Sequence, residues 1–251
     1  MSPQADHLPV RVALIHAVRD AISPIHEAFH RLWPEAVCDD LLDSSLSADR
    51  AAGEGAGEIA ERFLALARYA VRTHGPRGQT AGILFTCSAF AMEIEAVQRA
   101  LAIPVVKPNE GAFAEALDAG DRIGLLVTFA PALRSLQSEL QRLAATRGRT
   151  ISIVAGQVHG ALSALQSGDA KRHDELIAAV AGDLSDVGTI VLGQFSMARA
   201  APVVHRRTGL PIITTPDAAV RQLRDRVSVG DALERGGPRG ARVARPGRPP
   251  T

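Results

Sequence analysis

Cys87 closes an apolar run, Gly82-Ile83-Leu84-Phe85-Thr86, and is followed at once by Ser88. A second run of the same shape, Thr189-Ile190-Val191-Leu192-Gly193, ends in Gln194-Phe195-Ser196. The carboxyl ends of parallel strands are where ligands bind in α/β sheets. The chain therefore offers one thiol and one carboxamide at matching places in two similar halves. A positioned thiol can act as acid, base or nucleophile, whereas a carboxamide only donates and accepts hydrogen bonds. A helix starting near Ala91 is expected to stabilise thiolate at Cys87 and lower its pKa. The other cysteine, Cys38, lies within a strand-like run and reads as structural.

Other strand ends add polar candidates. His16 ends the first run, on the same rim as Cys87, where it could pair with a substrate carboxylate or tune the thiol. Thr128 and Phe129 end a later run, and Thr214-Thr215-Pro216 the last. Short hydroxyls and exposed backbone N–H groups suit a small carboxylate, which needs donors rather than bulk charge. The expected substrate-binding set is His16, Ser88, Thr128, Phe129, Phe195, Ser196 and Thr215, around a catalytic Cys87 and Gln194. Leu14-Ile15-His16-Ala17-Val18 lacks the glycines of a dinucleotide loop and no Walker A sequence occurs, so no cofactor is expected. Gly53-Glu54-Gly55-Ala56-Gly57 is acidic and precedes a helix, which makes it a connection. His26 and His30 share i,i+4 spacing but gain no third ligand, so no metal site is expected and the pair reads as a solvated helix face.

These residues need a scaffold. Apolar runs at Val10–Ile15, Ala36–Leu42, Ala81–Thr86, Pro104–Lys107, Arg122–Phe129, Thr150–Ala155, Thr189–Gly193 and Pro211–Thr214 read as strands. Most are apolar throughout, as parallel strands covered on both faces are. Ile59, Phe63, Leu66 and Ala70 mark one intervening helix stripe; Ile94, Val97 and Leu101 mark another, and Ile177, Val180 and Leu184 a third. The β-α rhythm implies parallel sheets with right-handed crossovers. Cys87 precedes Pro104 by 17 residues and Gln194 precedes Pro211 by the same 17. This repetition predicts two α/β lobes, 1–107 plus 215–235 and 108–214, with the linker near Pro108–Gly120.

At 251 residues, with 46% hydrophobic and 22% charged residues, the composition is that of an ordinary globular protein. Two cysteines argue against a disulfide-built secreted fold. The start, Met1-Ser2-Pro3-Gln4-Ala5-Asp6-His7, has neither a basic segment nor a long apolar one, and no apolar stretch approaches the roughly 20 residues that span a bilayer. A cytoplasmic protein without a membrane partner is expected. Residues 236–251 hold four arginines, four glycines and four prolines but no acid, which leaves about −3 of the net +1 on the remainder. That segment cannot bury apolar area and reads as a disordered tail; without interleaved aromatics it does not predict a nucleic-acid partner.

Val12-Ala13-Leu14-Ile15-His16, Gly82-Ile83-Leu84-Phe85-Thr86-Cys87-Ser88, Arg122-Ile123-Gly124-Leu125-Leu126-Val127-Thr128, Thr189-Ile190-Val191-Leu192-Gly193-Gln194 and Leu210-Pro211-Ile212-Ile213 together resemble the aspartate/glutamate racemase superfamily. That superfamily includes hydantoin racemases, maleate isomerases and arylmalonate decarboxylases. The resemblance covers roughly residues 10–228. It implies two pseudo-symmetric lobes, each a mainly parallel sheet flanked by helices, with a cofactor-independent site in the cleft between them. It also implies an isomerase of small carboxylates or amino acids, compatible with homo-oligomers and with a role in amino acid metabolism. Racemases of this type carry one cysteine on each lobe; the first matches Cys87 and the second falls on Gln194, which has no useful acid–base pKa. A one-cysteine decarboxylase is therefore the alternative enzyme, and a catalytically silent carboxylate-binding protein the alternative from another class.

Overall fold

Among the described residues eight parallel strands form two sheets of four. The computed structural model describes residues 9–72 and 78–236, with side chains up to 229; beyond Gly236, the expected tail lies outside the described residues. In chain order the strands are β1 (Arg11–His16), β2 (Val37–Leu42), β3 (Thr80–Phe85), β4 (Val105–Val106), β5 (Arg122–Val127), β6 (Ser152–Gln157), β7 (Thr189–Leu192) and β8 (Ile212–Thr214). The helices are α1 (Ile22–Leu32), α2 (Ser45–Ala51), α3 (Ala56–Val71), α4 (Ala91–Ala100), α5 (Glu110–Ala119), α6 (Ala130–Thr146), α7 (Ala161–Gln166), α8 (Ala170–Gly182), α9 (Ala201–Thr208) and α10 (Thr215–Gly236). Among the described residues no helix is long and apolar enough to cross a membrane.

The first sheet runs β2-β1-β3-β4 and the second β6-β5-β7-β8, the same order with four added to each number. All ladders are parallel. Every residue of β1 and of β7 is buried, because helices cover both faces of each sheet, and this is why the strands read as continuous apolar runs. Two apolar layers flank the first sheet and two the second. β3 and β7 hold the third place in their sheets, so the residues that follow them, Cys87 and Gln194, are topological equivalents.

Within the stretch 108–120, residues Glu110–Ala119 form α5. Ala112, Phe113, Ala116 and Leu117 repeat at helical spacing and bury against the second sheet. α10 then packs on both halves: Ala219, Val220, Leu223 and Val227 join the core of the first sheet, and Ala218 that of the second. Arg221 ties α10 to Glu115 of α5 through two hydrogen bonds of 2.8 and 2.7 Å. The helices approach closely at Gly111, where a Cβ would lie 2.6 Å from the Ala218 carbonyl oxygen.

Candidate functional site

Cys87 follows β3 directly and caps a short 3-10 turn, Ser88–Phe90, before α4 begins. The extended backbone at Cys87 ends the strand, and the turn swings the chain across its carboxyl edge. Phe90, buried against Phe63 with ring centroids 5.0 Å apart, anchors that turn. The Ala89 N–H and the Ser47 hydroxyl reach the sulfur, and both favour thiolate; burial outweighs them and pushes the thiol pKa up. The expectation of a lowered pKa is therefore corrected. The thiol caps a single 3-10 turn, not α4 itself, so little helix dipole reaches it. Cys38, half-buried in β2, is pushed up to about 12 by burial and by the neighbouring Asp40 and Asp39.

Gln194 follows β7 in the same way and opens the 3-10 turn Phe195–Ala200. Its Oε1 accepts three hydrogen bonds: from the Thr128 N–H at 2.7 Å, the Thr128 hydroxyl at 2.9 Å and the Phe129 N–H at 3.1 Å. These donors stand at the start of the 17-residue α6, where unpaired N–H groups give the helix its positive end. Three donors on one atom fix the carboxamide orientation, because an NH2 group could not accept them. The NH2 end is left as the donor available to a ligand. Thr128 and Phe129 thus spend their donors on Gln194, although the sequence reading assigned them to substrate.

Thr86, Cys87 and Ser88 from the first half and Gly193, Gln194, Phe195 and Ser196 from the second line one cavity of about 70 Å³. Its remaining walls include Asp20, Pro108 and Asn109, and none of the lining residues is Lys, Arg or His. Asp20 and Ser196 also border an outer cleft of about 860 Å³. Five of the expected residues therefore meet here: Cys87, Gln194, Ser88, Phe195 and Ser196. Phe129 is 45% exposed and is not part of the lining, and Thr215, fully buried, donates its hydroxyl to the Leu192 carbonyl at 3.3 Å.

His16 is fully buried behind the cavity wall rather than in it. Its Nδ1 lies 2.8 Å from the Thr86 hydroxyl and its Nε2 2.9 Å from Asp40, to which the half-exposed His26 also donates at 2.9 Å. Burial lowers the His16 pKa against the opposing pull of Asp40. Burial pushes the Asp40 carboxyl up, but hydrogen bonds from His16 and His26 prevail and hold it below its ordinary value. The Asp40 carboxylate places the His16 proton on Nε2, so Nδ1 accepts from Thr86. Sequence reasoning missed Thr86, Asp20 and Asn109 as cavity residues. Asn109 carried one local signal, its place just before an alanine-rich helical stretch, where asparagine usually caps.

Two parallel sheets wound identically, with a small cavity lined from equivalent strand ends of both, define a two-lobed α/β protein with one candidate site shared by its halves. A family model described as Asp/Glu/Hydantoin racemase matches residues 16–223, and the chain belongs to that family. The fold is similar to allantoin racemase from Pseudomonas fluorescens, at 18% identity and a TM-score of 0.62 over 94% of this chain and 100% of that one. It is similar to glutamate racemase RacE1 from Bacillus anthracis, at 13% identity and 0.64 over 92% and 84%. It is also similar to a variant of arylmalonate decarboxylase, at 17% identity and 0.61 over 93% and 97%. No curated protein sequence matches the chain.

Proposed function

We propose that the protein is a cofactor-independent enzyme that moves a proton at the carbon next to a carboxyl group of a small carboxylate or amino acid, with the Cys87 thiol as proton donor or acceptor. The observation that carries this reading is the meeting of Cys87 and Gln194, from equivalent strand ends, in one small cavity. Removing a proton from such a carbon, or losing carbon dioxide from it, leaves enediolate-like negative charge. The Gln194 NH2, held by its pinned oxygen, would donate to that charge, and preorganised donors of this kind are worth several kcal/mol in transition-state stabilisation. Ser88 and Ser196 would hold the carboxylate. The reading divides the chain into lobes at 107/108 and 214/215, with α10 returning to the first.

A decarboxylase is the second reading, and the upward shift of the Cys87 thiol favours it. Decarboxylation creates the carbanion without a base and needs only a neutral thiol to protonate it. The test is NMR in D₂O on a panel of amino acids, hydantoins, maleate and substituted malonates. Deuterium at the α-carbon, isomerisation and loss of carbon dioxide are separated in one experiment. No reaction with any of them, together with unchanged Cys87 alkylation in their presence, rejects the enzymatic reading. Inversion as frequent as deuterium uptake would demand a second proton-transfer group, and Asp20 is the other titratable side chain on the cavity wall.

A further inference from the structure

Lys107 directly follows β4 of the first sheet, and its side chain is largely buried, 12% exposed. Its Nζ meets Glu95 of α4 at 2.9 Å and Glu139 of α6 at 3.1 Å. These are the two helices that lead away from the site. α4 begins at Ala91, just past the Cys87 turn, and α6 begins where Thr128 and Phe129 hold the Gln194 oxygen. α6 also packs on the second sheet through Ala132, Leu136, Leu140 and Ala144. A tie from α4 to α6 is therefore a tie between the strand end that carries Cys87 and the one that carries Gln194.

The pair with Glu139 is the consequential one. Glu95 is partly exposed, where an ion pair contributes little. Glu139 is 8% exposed, and among the described residues Lys107 is the only group that reaches its Oε1. Burial pushes the Glu139 carboxyl up against the pull of Lys107. Burial opposes the Lys107 ammonium too, but the two glutamates prevail and keep it charged. Glu95, Lys107, Glu110, Glu139 and Arg142 border a cavity of about 350 Å³, so at this level charge rather than packed apolar surface joins α4 to α6. We propose that Lys107 is a positioning residue, which clamps α4 to α6 through Glu95 and Glu139 and so fixes the separation of Cys87 and Gln194. It does not line their cavity and acts only through the helices. Its effect on turnover rests on the proposed function, whereas the separation itself can be read without a substrate.

The test uses Gln194→Cys and dibromobimane, a short reagent that fluoresces once thiols have displaced both of its bromides. Bridging of the two cavity thiols, distinguished from labelling of Cys38 by peptide mapping, reads how the strand ends are placed. Into this background go Glu139→Gln, which keeps the shape and removes the charge, and the double replacement Lys107→Met/Glu139→Met. Apolar residues of similar volume often replace a buried ion pair without loss of stability, so the urea midpoint of the double replacement should match the background. Bridging should nevertheless slow by about tenfold or more in both, since a misplacement of about 1 Å costs up to about 10²-fold. In turnover, with Gln194 intact, the double replacement should lower kcat by a similar factor and leave KM within about twofold. Glu139→Gln decides the matter if the double replacement fails to fold. Unchanged bridging in either, bridging restored along with stability, or no bridging in the background itself overturns the clamp. Slowed bridging with no deuterium uptake in the NMR panel defeats the catalytic reading and leaves the clamp standing. Deuterium uptake with unchanged bridging defeats the clamp alone.

Discussion

Burial and hydrogen bonding pull the Cys87 thiol in opposite directions, and burial prevails. The resting side chain is then a neutral thiol at pH 7, a ready proton donor and a poor base. Two rate profiles follow. If proton removal limits turnover, kcat/KM should rise with pH through an apparent pKa above the ordinary thiol value of about 8.5. If proton donation limits it, kcat/KM should be flat through neutrality and fall in the same region. An apparent pKa below about 8 on the limb lost in Cys87→Ala contradicts both profiles. Cys87→Ala itself should lose about 10²–10⁴-fold in rate, the usual contribution of a general acid or base. Cys38 carries a separate consequence for stability. Its folded pKa is raised to about 12 from 9.0, so the unfolded chain ionises first as pH rises. The native state then binds more protons than the unfolded one, and stability should fall between those values. Urea midpoints of wild type and Cys38→Ala across that range check it; an identical slope in both would remove Cys38 as the cause.

At the scale of elements, α5 carries Asn109 into the cavity and α10 fixes α5. They pack tightly at Gly111, where a Cβ would meet the Ala218 backbone at 2.6 Å rather than a side chain able to turn aside. Gly111→Ala should therefore force the helices apart and cost about 1–3 kcal/mol, typical of overpacking. Denaturant titration gives the cost, and a loss under about 0.5 kcal/mol, within the range of neutral surface changes, would mean the helices part freely. The strands were legible because both faces of each sheet are covered, which makes apolar content continuous from Val12 to Ile15 and from Ile190 to Leu192. The matched 17-residue spacings gave the equivalence of Cys87 and Gln194. The helical form of α5 is hidden in sequence because Pro108, Asn109 and Gly111 are turn residues and its apolar stripe is mostly alanine. Asp20 and Asn109 sit in loop and cap positions that only packing between the halves brings to the thiol. The Cys87 shift was missed for a similar reason: desolvation depends on neighbours from β3, α2 and the turn together, while helix polarity can be guessed from local sequence.

The whole molecule is symmetric in topology and asymmetric in chemistry, and one residue carries most of the difference. Under the proposed function, with glutamine at 194 and no transfer through Asp20, a proton taken by Cys87 would return to the face it left, or a decarboxylated intermediate would be protonated from one face. Wild-type product should therefore keep one handedness while gaining deuterium. Gln194→Cys places a second thiol on the wall of the cavity that Cys87 lines. It also releases the Thr128 and Phe129 N–H groups and the Thr128 hydroxyl, three donors that now hold Oε1 at 2.7, 3.1 and 2.9 Å. Those groups converge on a single oxygen at the positive end of α6, so a substrate carboxylate oxygen can take the vacated place. Without ligand the variant should be less stable than wild type by about 1 kcal/mol, the scale of the net hydrogen bonding it loses, and a small carboxylate should restore part of that loss. With substrate it should acquire or accelerate racemisation. Chiral chromatography of the product, alongside deuterium content, measures the second effect, and thermal unfolding with and without propionate measures the first. A variant that is destabilised, regains stability with propionate and still returns product of one handedness would show that the second thiol cannot reach the reacting carbon. The asymmetry would then lie in the shape of the cleft and not in the residue at 194.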